Sequence, residues 1–419
     1  MNWFPNFNDP ITRLGFMNFF TMAILTLYRG YLPIFLTNDV IVSVIIFTVI
    51  VSSINFFQIF MRIPLGNLSQ ILGRRPLILL GNLSIDFAMI LLFTATNYIT
   101  VFISALLVAI GMSAHWPATF SYIQDINPSG YGRNNGRIFK LGDLGILTGS
   151  LVAKIFLDQL LLQLRMFFLL LAIVGSIAVC VFYFLLPESL DSDHRQHSTP
   201  REFINENFVR MITKFKEITF YPGMAKIYSF QIVLSFSEFF FAVFFPLLVQ
   251  KNGFSQGTIG EIIFYSTFFL LWLKPYLGGV SDKLGYRLPV LGALVIIASL
   301  YIIAPLLKTL VLLVLLYFIV LSLLFIGYPA VNSAAASTSP IKQRGLALGT
   351  LGVFTSLGRS SSTIVMSPVW EVFDIYDTFM VAGLVILLLA LILYFISRKG
   401  SKTGNIKILN ESEIAPKLT

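Results

Sequence analysis

Three charged side chains stand in stretches that are otherwise apolar: Arg29, Glu238 and Arg359. A guanidinium in such a place is a donor fork for a carboxylate or phosphate, and a carboxylate there can bind a proton or serve as a counter-ion. Each has polar company at helical spacing. Gln231, Ser235 and Glu238 step by four and three, so they share one face of a helix. Gly352, Ser356, Arg359 and Ser362 form a second such row, and Asn55, Gln58 and Arg62 a third. Two positive charges against one negative lean towards an anionic or zwitterionic ligand. The plainer alternative is a salt bridge between Glu238 and one arginine that only neutralises buried charge. Asp86, one turn after Asn82, and His115, before Trp116-Pro117, are lesser candidates. His115 could carry protons or simply bond a neighbour. Lys140 and Asp143 are three apart and expected to pair locally, and Arg62 and Lys274 read mainly as structural groups that snorkel to the interface.

The elements that must hold these groups are membrane helices. Hydrophobic residues make up 56% of the 419-residue chain and charged residues 12%, where a soluble domain carries roughly 25% charged residues. Apolar runs long enough to cross about 30 Å of hydrocarbon recur near 14–36, 41–63, 76–95, 99–123, 138–157, 164–186, 226–249, 258–280, 288–305, 309–329, 345–368 and 377–397. No cleavable signal is read before the first. Helices are expected because a lipid-exposed segment must satisfy its backbone internally, and the alternation of a barrel strand is absent. Ionisable residues inside such runs cost roughly 2.5–3.5 kcal/mol on insertion scales, so they are expected to face a cavity or a partner.

Charge sets the expected orientation. With the N-terminus inside, 21 of the 29 lysines and arginines fall on the cytoplasmic side and only Lys154, Arg165, Lys251 and Lys308 outside. Both termini are therefore expected in the cytoplasm, the membrane being the plasma membrane. The same asymmetry accounts for the net charge of +9 without a nucleic-acid partner. The single cysteine, Cys180, excludes a disulfide framework or thiolate cluster. No hydrolase, metalloprotease or phosphate-loop motif occurs, so neither enzyme activity nor a cofactor or metal is expected, and the protein is expected to act as a monomer.

The chain repeats itself once. Gly66-Asn-Leu-Ser-Gln-Ile-Leu-Gly73-Arg-Arg75 corresponds to Gly278-Gly-Val-Ser-Asp-Lys-Leu-Gly285-Tyr-Arg287, a shift of 212 that also carries Pro117-Ala118 onto Pro329-Ala330. After a five-residue insertion the shift is 207, and Arg137, Gly142, Gly145 and Thr148 fall on Arg344, Gly349, Gly352 and Thr355. This predicts two six-helix halves arranged as parallel repeats, residues 1–187 and 226–400. Between them, 188–225 is a cytoplasmic linker in which Phe203, Ile204, Phe208, Met211, Ile212 and Phe215 recur at helical spacing. It reads as an amphipathic helix on the anionic leaflet, or else as a solvated linker. Residues 401–419 read as a disordered tail.

Gly66-x-Leu-Ser-Gln-x-x-Gly-Arg-Arg75 resembles the loop signature of the major facilitator superfamily, and Gly278-x-x-Ser-Asp-x-x-Gly-x-Arg287 its degenerate second copy. Pro187-Glu188-Ser189 also resembles the family's close to its first half. The resemblance covers the whole chain and implies an all-helical fold of twelve transmembrane segments and alternating access by a secondary transporter. The energy source would be a gradient, possible protons included. It implies that spans one and seven line a central cavity bordered by span eleven. On that reading Arg29, Glu238, Arg359, Asn55, Gln58, Gln231, Ser235 and His115 are candidates for the substrate or proton site. Gly66, Gln70, Gly73, Arg74, Arg75, Gly278, Asp282, Gly285 and Arg287 would form a latch on the cytoplasmic side. Gln70 departs from the family's usual Asp, so the latch is expected to lean on Asp282. The Gly-Pro pair of span five and the span-four arginine of proton-coupled drug antiporters are missing, as is the closing motif of sugar porters. An exporter of hydrophobic or cationic compounds, and a non-transporting sensor or scaffold on the same fold, remain as alternatives. The glycines of span five, Gly142, Gly145 and Gly149, are expected to be close-packing positions.

Overall fold

The computed structural model describes residues 7–126, 131–160, 163–190, 216–277, 285–339 and 344–398. Twelve long helices run through them: α1 Pro10–Ile34, α2 Val44–Leu72, α3 Arg74–Thr94, α4 Tyr98–Ile126, α5 Tyr131–Lys154, α6 Leu164–Leu185, α7 Met224–Lys251, α8 Gln256–Leu277, α9 Arg287–Ile303, α10 Leu310–Thr338, α11 Arg344–Val372 and α12 Ile375–Arg398. No strand occurs among the described residues. Nine of the twelve are long and apolar enough to cross a bilayer. The other three, α5, α8 and α11, carry charges such as Asp143, Lys274 and Arg359 within their length. The expected amphipathic helix at 203–215, the tail, and Gly278 and Asp282 lie outside the described residues.

The repeat is visible in the packing. In the first half α1 lies on α5, α2 on α4, α3 on α4 and on α6; in the second, α7 lies on α11, α8 on α10, α9 on α10 and on α12. The halves meet along two seams that the repeat exchanges, α2 against α11 and α5 against α8, with α1 facing α7 between them. Span-five glycines make the tight contacts expected of them: a Cβ on Gly145 would meet the Phe19 backbone and one on Gly149 the Ala23 side chain, both on α1.

The signature segment is less of a loop than expected. Residues 66–72 continue α2, and the chain reverses at Gly73 alone, where φ is 101°. Its repeat mate Gly285 also has positive φ, 68°, a conformation glycine adopts without a Cβ penalty. Pro76 falls in the first turn of α3, where a missing N–H is harmless. The Glu188 carboxylate caps that turn, accepting from the backbone N of Arg74 at 2.9 Å and Arg75 at 3.3 Å, a placement the helix dipole favours.

Candidate functional site

Glu238 on α7 and Arg359 on α11 meet in a forked ion pair. Arg359 donates through Nη2 to Oε1 at 2.9 Å and Oε2 at 2.8 Å, and through Nε to Oε2 at 3.1 Å. The Tyr328 hydroxyl on α10 donates to Oε2 as well. The polar row on α7 continues this centre. Gln231 donates to Ser235 at 3.3 Å and to Thr355 of α11 at 2.7 Å, and Ser235 lies 3.3 Å from the Tyr328 hydroxyl. Gly358 lets the helices come this close, since a Cβ there would meet the Ile232 carbonyl and the Ser235 side chain. The second half thus supplies its own counter-charge.

The first half does not. Arg29 has no carboxylate within ion-pair distance among the described residues; its polar contact is with the Met112 sulfur at 3.7 Å. It lies close enough to Glu238 and Arg359 to feel both charges. Beside it, Asn55 is buried and its Nδ2 has no acceptor. Arg29 and Asn55, with Tyr28, Val51 and Phe239, line a narrow cavity of about 20 Å³ between α1, α2, α4 and α7. That is room for about one water molecule. Gln58 accepts from Arg62 at 2.9 Å and reaches the same Met112 sulfur at 3.4 Å.

His115 does not join this site. It is fully buried within the first half, where its Nδ1 lies 2.9 Å from Asn82 Nδ2 on α3. Trp116 stacks on Phe120 and Phe139, a packing role.

Two sequence expectations are corrected. Asp143 pairs with Lys274 of α8 across a seam, while Lys140 is exposed. Arg62 crosses the other seam to the Gly352 carbonyl at 3.0 Å, into space that a Cβ on Gly352 would occupy. These two cations therefore hold the halves together instead of snorkelling, because the seam supplies each with a partner. Arg74, in the latch motif, pairs with Asp125 of α4 at 3.0 Å. Gln70 is half-buried on the last turn of α2, Gly66 packs on Pro117, and Arg287 reaches the Ser397 carbonyl at 3.4 Å.

Tyr328 was missed by the sequence reading. It is the repeat mate of Trp116 at the shift of 212, and an aromatic hydroxyl beside a mid-helix proline was the available signal. Arg62 was singled out but given too little weight; it lies within electrostatic range of Arg29 and Arg359.

The face opposite the termini is closed across both seams. Lys154 of α5 pairs with Glu261 of α8 at 2.7 Å and with Asp158 at 2.8 Å. Asp158 accepts from Ser255 at 2.8 Å and from the Gly257 backbone at 3.0 Å. On the other seam Phe47 of α2 packs on Trp370 of α11 and Phe244 of α7, with centroids 5.2 and 6.4 Å away.

The sequence matches the family profile described as Major Facilitator Superfamily over residues 14–224 and again over 227–417. Among solved structures, a POT family transporter in complex with 5-aminolevulinic acid is similar at 15% identity and a TM-score of 0.71, covering 93% of this chain and 96% of its own. The human organic anion transporter MFSD10 aligns at 17% identity and a TM-score of 0.63, over 93% of this chain and 100% of its own. A bacterial homologue of the human lysosomal transporter Spinster, inward-facing and unoccupied, aligns at 16% identity and a TM-score of 0.68, over 93% and 96%. No curated protein sequence matches.

Proposed function

This chain belongs to the major facilitator superfamily, a multi-pass membrane transporter in two six-helix halves, and we propose that its substrate is a small organic anion or zwitterion bound between the halves at Arg29. One observation carries the reading: Arg29 and Asn55 bring hydrogen-bond donors to the cavity, and no carboxylate among the described residues receives them. Three arginines, Arg29, Arg62 and Arg359, share this centre with one carboxylate, Glu238. A cavity so charged attracts an anion and repels a cation, which weighs against the cationic-drug alternative. The anion transporter and the 5-aminolevulinic acid complex among the similar structures agree with this chemistry.

The transport step follows from the pair on the other wall. An anion that engages Arg359 leaves Glu238 without its counter-charge, and a proton is then what neutralises it. Substrate and proton would move together, through a site exposed alternately to each face. The termini lie in the cytoplasm on this reading, and the face sealed by Lys154, Glu261 and Trp370 is external. Proteoliposome uptake of solutes grouped by charge, with and without a pH gradient, tests the proposal. Accumulation of an anionic group that Arg29→Ala abolishes is the expected result. Preference for cations, retained in Arg29→Ala, would refute it.

A further inference from the structure

A second buried carboxyl lies outside this cavity, in the interior of the first half. Asp86 on α3 is 2% exposed, and its Oδ2 has no hydrogen-bond partner among the described residues. Its carboxyl fills the notch left by Gly175 of α6, where a Cβ would fall 2.0 Å from Oδ1, and Ile24 of α1 closes the same notch. One turn before it, Asn82 is a fixed junction. Its Nδ2 donates to the Ile78 carbonyl at 2.8 Å, so its Oδ1 is the atom that accepts from Thr21 of α1 at 2.6 Å. The same Nδ2 reaches His115 Nδ1 at 2.9 Å. Nδ1 must therefore be the accepting nitrogen, which puts the ring hydrogen on Nε2, and Nε2 has no partner. Asp86 thus stands one turn from Asn82 on α3, and Asn82 in turn holds His115, whose Nε2–H is an orphan donor among the described residues.

The charged groups on the surrounding helices are occupied elsewhere. Arg29 on α1 points to Met112, Arg13 on α1 bonds the Leu185 carbonyl, and Arg165 on α6 bonds the Ala95 carbonyl at the far end. His115 on α4 is held by Asn82, Arg74 of α3 pairs with Asp125 of α4, Arg75 of α3 bonds the Tyr183 carbonyl, and the tyrosines Tyr28 and Tyr31 on α1 and Tyr122 on α4 are uncharged at neutral pH. Leaving a carboxylate so placed without a partner costs several kcal/mol. A metal ion would need several oxygen ligands, whereas no cluster of three or more His, Cys, Asp or Glu side chains occurs among the described residues. A proton needs none.

We propose that Asp86 is a proton-binding site in the first half, separate from Glu238, and that α1 reads whether it is occupied. Helix α1 joins the two centres: Thr21 bonds Asn82, Ile24 packs at the Asp86 notch, and Arg29 follows five residues later, about 7.5 Å along the axis. Ionised, Asp86 must find a donor, and the nearest network is the one that anchors α1. A change in α1 then reaches Arg29. This rests on the transporter reading but not on the identity of the substrate.

The test uses the full-length purified protein and protons as the only ligand. Infrared difference spectra between acid and alkaline buffer should show a protonated-carboxyl band that titrates, persists in Glu238→Gln and is absent from Asp86→Asn. Spin-label distances between the outer ends of α5 and α8 should change with pH in the wild type and be constant in Asp86→Asn over the same range. Should Asp86→Asn not fold, wild-type protein with isotopically labelled aspartate carboxyls must shift the titrating band. A band that never titrates, with distances that respond to pH equally in both proteins, would make Asp86 a permanently neutral structural acid and overturn the proposal. A band lost on replacing potassium by sodium would assign the site to a metal ion instead and equally overturn it. Anion binding is not measured here, so failure of this site and failure of the Arg29 reading are read separately.

Discussion

Two arginines stand on the inner walls of the two halves, Arg29 on α1 and Arg359 on α11, and among the described residues only Arg359 has a carboxylate. Arg359 is held by Glu238 and, through it, by Tyr328, a complete half-buried arrangement within the second half. Arg29 has a sulfur for company. The difference separates two uses of the same side chain: one guanidinium balances a charge the fold already contains, while the other waits for a charge the fold does not supply. The wall that is satisfied should therefore matter most for stability, and the wall that is not should matter most for binding.

The largest expected effect is on the satisfied wall. Arg359→Gln leaves Glu238, half-buried within a span, without its counter-charge, which should destabilise the protein by up to about 3–5 kcal/mol, the cost of breaking a buried pair. Adding Glu238→Gln should restore most of that loss. Chemical denaturation of the three variants checks it, and no recovery in the double variant would mean that the pair is not what the stability responds to. If Glu238 also binds the transported proton, the double variant regains folding without regaining uptake driven by a pH gradient.

On the other wall the balance should invert. Arg29→Gln leaves no buried charge behind, so stability should hardly change. Affinity for anionic substrate should fall roughly tenfold to a hundredfold, the range for a hydrogen bond to a charged group. Equal stability losses from Arg29→Gln and Arg359→Gln would erase the distinction between the walls.

Much of this arrangement was legible in the residues. Runs of apolar sequence gave the helices because a bilayer leaves the backbone no other solution, and the 212-residue shift foretold the matched packing of the halves. Glu238, Ser235 and Gln231 were recognisable as one face by spacing alone. Which arginine Glu238 would choose was not legible, since that depends on the approach of α7 and α11 that Gly358 permits. Lys274 and Arg62 were misjudged for the same kind of reason. From the sequence they stood near a helix end, and only the seam shows Asp143 and the Gly352 carbonyl within reach.

Those two cations allow a smaller comparison, between seams. Lys274→Gln leaves Asp143, itself 8% exposed, without its partner, whereas Arg62→Gln removes a bond to a backbone carbonyl. Both should shift the population towards the state open at the termini face. Arg62→Gln should do so by about 1 kcal/mol, roughly fivefold, and Lys274→Gln by more. Distances between labels on α2 and α11, and on α5 and α8, report it. A larger shift from Arg62→Gln would place the stronger clamp on the seam without a carboxylate.

The smallest effect concerns the external clamp, where pH should act in a defined window. Partial burial would raise the Asp158 carboxyl, but hydrogen bonds from Lys154 and Ser255 and the charge of Lys154 outweigh it and hold the group below the usual carboxylate range. When the face opens, Asp158 returns to an ordinary value near about 3.9. A group held lower in the closed form favours closure fully above that ordinary value, and the contribution is lost as pH falls through the depressed one. Closure of the external face should thus be indifferent to Asp158 from neutrality down through the ordinary carboxylate range, and loosen only in stronger acid. Asp158→Asn should abolish that acid response while keeping the contact of Lys154 with Glu261. Label distances between residues flanking Lys154 and Glu261, followed during acid titration, distinguish this from the Asp86 response, which Asp158→Asn must leave in place. An acid opening that is the same in Asp158→Asn would overturn the assignment to Asp158, and the aromatic contacts of Phe47 and Trp370, which carry no charge and cannot titrate, could not account for it.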